Sequence, residues 1–501
     1  MSISSHEIDQ RGRILLMLTP DDNAKQGSKC SAQEMLMLEP EKIEMYQYFY
    51  GDELRIPKSK KCLSPDTLQS KLQRMILNYL EVGHTDAAMD VMEMAIASKR
   101  EPPQFLVVVL IGIILNPQTL QKKLHHFRSC QRARRLLLHL LENFGSAVFS
   151  GVLDMFRVHG GQKKKAENYG SEEDDEVQLP ECGLQDFNDF WDLVSGCLKT
   201  KGQVDIATKC RQIVLDVIVR AFEYDMKERI VRNSEPDECL FLRTLRKDSY
   251  GCRTQLDRYL DILFLAFDSR ARKAEEKCCA PNAYNMEGIA IAGRLLNMLV
   301  ILSYYDNLVT TSSLIEQTYR RFASLSADDT ANLLQIIRCT TFVYALCDLA
   351  LSDVDCSCVE ERYKHLRHTR GHAFRVDRVT HYAMRTRPLQ VRSVEDVFRH
   401  VLLVVWAYMS LASESSLHCE YRYKDAFDQV KTINRTFSSM PERQLGLQLQ
   451  GKAAVPGWRQ HVRSMIDEVY ARGSASDDGR QTEQRIWWAI ELADISLETF
   501  R

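Results

Sequence analysis

The chain has 501 residues, of which 45% are hydrophobic, so it can bury a large core, and disorder along its whole length is excluded. Its 66 basic and 68 acidic residues leave a formal charge of -2, so global charge marks neither a nucleic-acid binder nor a membrane-surface binder, and any electrostatic function must be local. Fifteen scattered cysteines, an odd number with no signal peptide before them, read as reduced thiols of a nuclear or cytoplasmic protein.

Residues 1–61 mix short apolar patches with Lys, Ser, Asp and Gly and hold no sustained period, which predicts a mostly disordered arm with a short helix possible near Gln33 to Phe49. Residues 62–160 form an N-terminal helical segment. Ser64 and Pro65 open it as N-cap and first helical position, and Leu68, Leu72, Met75, Ile76, Tyr79 and Leu80 share one helical face. Gly83 ends that helix, and Thr85 starts a second with Ala88, Val91, Met92, Ala95 and Ile96 as its apolar stripe, making a hairpin.

Beyond Pro102-Pro103, the run Val107 to Leu115 suits either a buried helix or a strand by periodicity, and its helical neighbours favour helix. A long basic helix follows from Leu120 to Phe144, then another from Ala147 to Val158. The apolar runs Phe105 to Leu115 and Val401 to Met409 fall short of the about 20 residues that cross a membrane.

Composition changes abruptly at residues 161–183, where Lys163 to Lys165 and the acidic run from Glu172 to Glu176 predict a charged linker, with Ser171 placed for phosphorylation by an acidophilic kinase. Residues 184–501 then form a C-terminal helical segment. Its expected helices are Leu184 to Leu198, Val204 to Arg229, Gln255 to Phe267, Met286 to Tyr305, Ser312 to Leu325, Asp328 to Leu351, Val394 to Ala412, Ser415 to Phe437, Trp458 to Ala471 and Gln481 to Phe500. No repeat of fixed length emerges, so the expected fold is all-α, an irregular α-solenoid or multi-helix array.

Three segments carry candidate chemistry. The first is Ile14, Leu15, Leu16 and Leu18 followed by Asp21 and Asp22, an aliphatic run with an acidic flank that can add an edge strand to a partner's sheet, as a SUMO-interacting motif does. The competing reading is a short element docked on the protein's own surface. The second is Arg362, Lys364, Arg367, Arg370, Arg375, Arg378, Arg385, Arg387 and Arg392, which face a single acid, Asp377. Such a density of cations suits nucleic acid or an acidic partner, or else forms a solvated face.

The third is Cys356, Cys358, His365, His368 and His372, whose spacing fits no zinc pattern, so reduced thiols beside a basic loop are the expectation and no metal or cofactor is assigned. Lys122, Lys123, Arg128, Arg132, Arg134 and Arg135 read as a solvated helix face, and Asp154, Asp192, Asp216 and Glu142 as solitary solvated carboxylates. Trp487 and Trp488, with Ile490 near them, suit core packing or a dimer seam. No phosphate loop, nucleophile elbow or His-Glu-x-x-His motif occurs, so the chain reads as a non-enzyme.

A disordered arm bearing Ile14 to Asp22 ahead of an irregular all-helical body resembles the vertebrate SUMO-interacting-motif-containing family. The chain carries one motif where that family carries several, with Pro20 inside the acidic flank. The resemblance implies a nuclear scaffold whose helical region pairs with a second helical subunit, the pair bringing an SMC-type genome-maintenance complex to DNA. A helical-repeat transcription or chromatin cofactor and an enzyme with an unrecognised site are the alternatives.

Overall fold

A computed structural model describes residues 70–97, 104–115, 123–156, 182–199, 206–232, 239–245, 255–267, 286–305, 309, 311–351, 393–420, 454–472 and 477–499. Of the described residues, 86% are helical and none lies in a strand, so the fold is an all-α multi-helix array.

The first hairpin pairs α1 (Ser70–Glu81) with α2 (Thr85–Ala97). Gly83 adopts a left-handed φ of 82° there, and the His84 N–H donates to the Tyr79 carbonyl at 2.8 Å, closing the last turn of α1. α3 (Gln104–Leu115) is a helix, and every side chain from Phe105 to Ile111 is buried, the helices Lys123–Phe144 and Ile206–Arg232 both packing against it. That burial on all sides explains why its sequence lacked a helical period.

α4 (Lys123–Phe144) ends at Gly145, where φ is again 82°. The helix expected after it is instead two short 3-10 turns, Ser146–Phe149 and Val152–Met155. Side chains from distant elements hold them: the Ser146 hydroxyl donates to Asp225 at 3.0 Å, and Arg243 donates to the Ser150 carbonyl at 3.0 Å.

α5 (Phe190–Leu198) begins later than its sequence pattern suggested. Asp189 caps it by accepting from the Asp192 N–H at 2.8 Å, which leaves Leu184–Asp186 as a separate 3-10 turn. α6 (Ile206–Arg232) packs on α3, α4 and α5 and on the later helix Met286–Tyr305. α7 (Leu256–Phe264) joins α5 around Trp191, whose ring stacks on Tyr259 at 4.4 Å and whose indole N–H donates to the Thr244 carbonyl at 3.2 Å.

α8 (Met286–Tyr305), α9 (Thr311–Phe322), α10 (Ala327–Ile336) and α11 (Thr340–Leu351) continue the array. The single helix expected from Asp328 to Leu351 is broken between α10 and α11. Asn297 of α8 makes the break: its amide donates to the Ile336 carbonyl and its oxygen accepts from the Arg338 N–H, both at 2.9 Å. One turn earlier on α8, Gly293 supplies the gap that the Ile336 side chain enters. Asn297→Leu removes both partners from groups inside this junction, with an expected loss of about 2–4 kcal/mol. Urea unfolding of the full chain measures it, and a change under 0.5 kcal/mol, roughly that of an ordinary surface substitution, would reject the clamp.

α12 (Val394–Glu420) is continuous through Ser415, where a second helix was expected to start, because neither Gly nor Pro interrupts it. It packs along α11 and along the last described helix, Asp477–Thr499, with the helix Ala454–Ala471 against it as well. α13 (Ala454–Ala471) and α14 (Asp477–Thr499) complete the chain order. Arg485 of α14 pairs with Asp328 at the start of α10 and lies 4.5 Å over the Phe398 ring of α12. Buried hydrophobic side chains from Ile76 to Ile490 form one connected cluster, to which helices on both sides of residues 161–183 contribute. Among the described residues, no helix is long and apolar enough to cross a membrane.

Candidate functional site

The basic face of α4 divides into engaged and open guanidinium groups. Arg134 points toward α6 and donates to Asp216 at 3.0 Å. Asp216 also accepts from Arg220 at 3.1 Å and from Arg294 of α8 at 2.6 Å, and Arg294 donates twice more to Glu223, at 2.9 and 2.8 Å. Three helices are tied by this network, and its acids are less than a quarter exposed. Burial alone would push both carboxyls up, but the cations around them, Arg294 foremost and joined by Arg220 and Arg134 at Asp216, together outweigh it and hold both below the usual carboxylate range. The expectation of a solitary solvated Asp216 and a solvated Arg134 is therefore corrected. Neither carboxylate is free to act as a base.

The opposite side of α4 lines a groove of about 490 Å³ against α2, formed by Arg128, Gln131, Arg132, Arg135, Leu136 and Glu93. Arg128, Gln131 or Arg132, and Arg135 recur at helical spacing, which sets them on one face. Arg132 is engaged: it donates to Asp90 at 2.5 Å and to Glu93 at 2.8 Å, and these acids raise its pKa further. Arg128 and Arg135 are exposed, and neither has a carboxylate partner among the described residues. Met94, on the same outer face of α2 as Asp90 and Glu93, is 65% exposed.

Cys130, Cys182, Cys197, Cys210, Cys239, Cys339 and Cys347 are free thiols and all are buried. Cys130 of α4 and Cys210 of α6 approach to 3.8 Å between sulfurs. That hydrogen bond and burial push the Cys130 thiol up, and burial pushes Cys197 up to about 12. Neither sulfur is a thiolate nucleophile at neutral pH. Among the described residues, no group of three or more metal-ligating side chains converges.

No family model, curated protein or solved structure matches this chain. Its function must therefore be read from its own residues. Ile14, Leu15, Leu16, Leu18, Asp21 and Asp22, Ser171, and the basic series from Arg362 to Arg392 lie outside the described residues, as do Cys356, Cys358, His365, His368 and His372. Ile486 and Ile490 of α14 are buried, whereas Trp488 is 60% exposed beside Trp487, which Arg463 covers at 5.6 Å. The α2–α4 groove had no separate signal in the sequence: its arginines were visible as a basic helix, but the α2 acids that engage Arg132 were not.

Proposed function

We propose that this chain is a non-enzymatic nuclear scaffold whose helical body binds a second helical protein subunit, and that the pair serves SUMO-guided recruitment of an SMC-type genome-maintenance complex. The observation that supports partner binding is the α1–α2 hairpin. Met75 is 39% exposed, Val82 70% and Met94 65%, so this hairpin presents large apolar side chains of the kind that interfaces cover. The exposed Trp488 is a second anchor of the residue type that dominates interface energetics.

Affinity purification of the tagged chain from nuclear extract, read by mass spectrometry, tests the reading. A helical subunit should be recovered in stoichiometric amount and should be lost from the triple variant Met75→Glu, Val82→Glu, Met94→Glu. Recovery of no stoichiometric partner by the parent chain would defeat the proposal.

SUMO recognition is assigned to the arm. Replacing Ile14, Leu15, Leu16 and Leu18 by alanine is expected to abolish binding to SUMO while leaving thermal stability nearly unchanged, because β-augmentation needs both the aliphatic side chains and a backbone free to pair. Asp21→Asn with Asp22→Asn should cost less, since rim charges act chiefly on association rate. A fall of several degrees in the melting temperature of the alanine variant would show the run packing on the body and remove the SUMO role.

A further inference from the structure

We infer that the α2–α4 groove is the docking site for an acidic amphipathic helix of a protein partner, an inference that rests on the scaffold reading and names the chemistry of one contact. α4 presents three arginines to the groove, and the middle one, Arg132, is already neutralised by Asp90 and Glu93. The outer two, Arg128 and Arg135, stand seven residues apart, about 10 Å along the helix axis, with no carboxylate partner among the described residues. Two acids at that same seven-residue spacing on a partner helix would meet both guanidinium groups at once.

The apolar part of the groove sets the rest of the partner. Leu136 forms part of its lining beside the hydrocarbon stems of Arg128, Arg132 and Arg135, so an apolar side chain between the two acids would meet hydrocarbon there. An acidic protein helix fits better than a nucleic acid. A phosphate backbone carries negative charge at every step and would run against Asp90 and Glu93, which are 64% and 60% exposed on the α2 rim. A helix can place acids only where the arginines are, and its apolar face supplies the i, i+3, i+4 anchors of helix-in-groove recognition.

The test is selection from a phage-displayed library of randomised helical peptides against the full chain, followed by affinity measurement on the enriched peptides. The enriched sequences should carry two acids about two turns apart around an apolar residue. They should bind roughly tenfold or more weakly to the Arg128→Glu, Arg135→Glu double variant, and peptides with lysine at the two acidic positions should regain affinity for that variant. Arg128→Gln with Arg135→Gln, checked by circular dichroism, supplies the same loss without introducing repulsion. Enriched peptides that bind parent and variants alike would overturn the groove and leave the scaffold reading standing. Failure to enrich acidic peptides, or binding of single-stranded DNA that the double variant abolishes, would likewise overturn it. The scaffold reading itself falls separately, if no subunit is recovered from nuclear extract.

Discussion

Arg294→Met is expected to destabilise the chain by about 3–5 kcal/mol, since it leaves two largely buried carboxylates, Asp216 and Glu223, without their shared cation. Arg134 and Arg220 remain on Asp216, so Glu223 bears the larger part of the loss. Adding Asp216→Asn and Glu223→Gln to the methionine variant should recover a substantial fraction, because the penalty is for uncompensated charge rather than for lost contact. The sign with pH follows from the same geometry. In the parent both folded-state pKa values lie below the ordinary 3.8 and 4.5, so their contribution is complete at neutral pH and is lost as pH falls through the folded values. The gap between parent and Arg294→Met should therefore be widest near neutrality and narrow in acid. Chemical unfolding at several pH values measures it, and a gap that does not change with pH would mean that packing, not charge, holds the three helices.

Trp191→Ala should cost about 3–5 kcal/mol, an effect of similar size with a different cause. Trp191 is 1% exposed and is enclosed by Phe190, Phe241 and Tyr259, with ring centroids 5.6, 6.3 and 4.4 Å away. Truncation opens a cavity between α5 and α7 and also orphans the Thr244 carbonyl that the indole N–H supplies at 3.2 Å. Trp191→Phe keeps most of the volume and loses the hydrogen bond and one ring, so it should recover more than half of the deficit. Equal losses in the two variants, read by urea unfolding at constant slope, would place the energy in the hydrogen bond and not in the packing.

Helix positions were legible in the sequence wherever the signal is local. Gly83 and Gly145 stop α1 and α4 as their sequence neighbourhoods indicated, both with φ of 82°, because a left-handed residue at a helix end favours glycine whatever surrounds it. A helix expected near Met286 to Tyr305 is α8. The basic character of α4 was equally plain from Arg128, Arg132, Arg134 and Arg135.

Which of those arginines is engaged and which is open was decided by tertiary structure. Arg134 reaches an acid 82 residues away and Arg132 reaches acids 42 and 39 residues away, and nothing within a turn or two of either arginine encodes that pairing. The same holds for the break at 337–339, which follows from Asn297 occupying the backbone groups there from a neighbouring helix. By itself, the sequence determined an all-helical chain and the ends of many of its helices, since propensity, capping and breaking act over three or four residues. The satisfied ionic network, the clamp at the α10–α11 break and the half-open groove of α2 and α4 were decided only by tertiary structure, because each depends on which distant side chain reaches a group first.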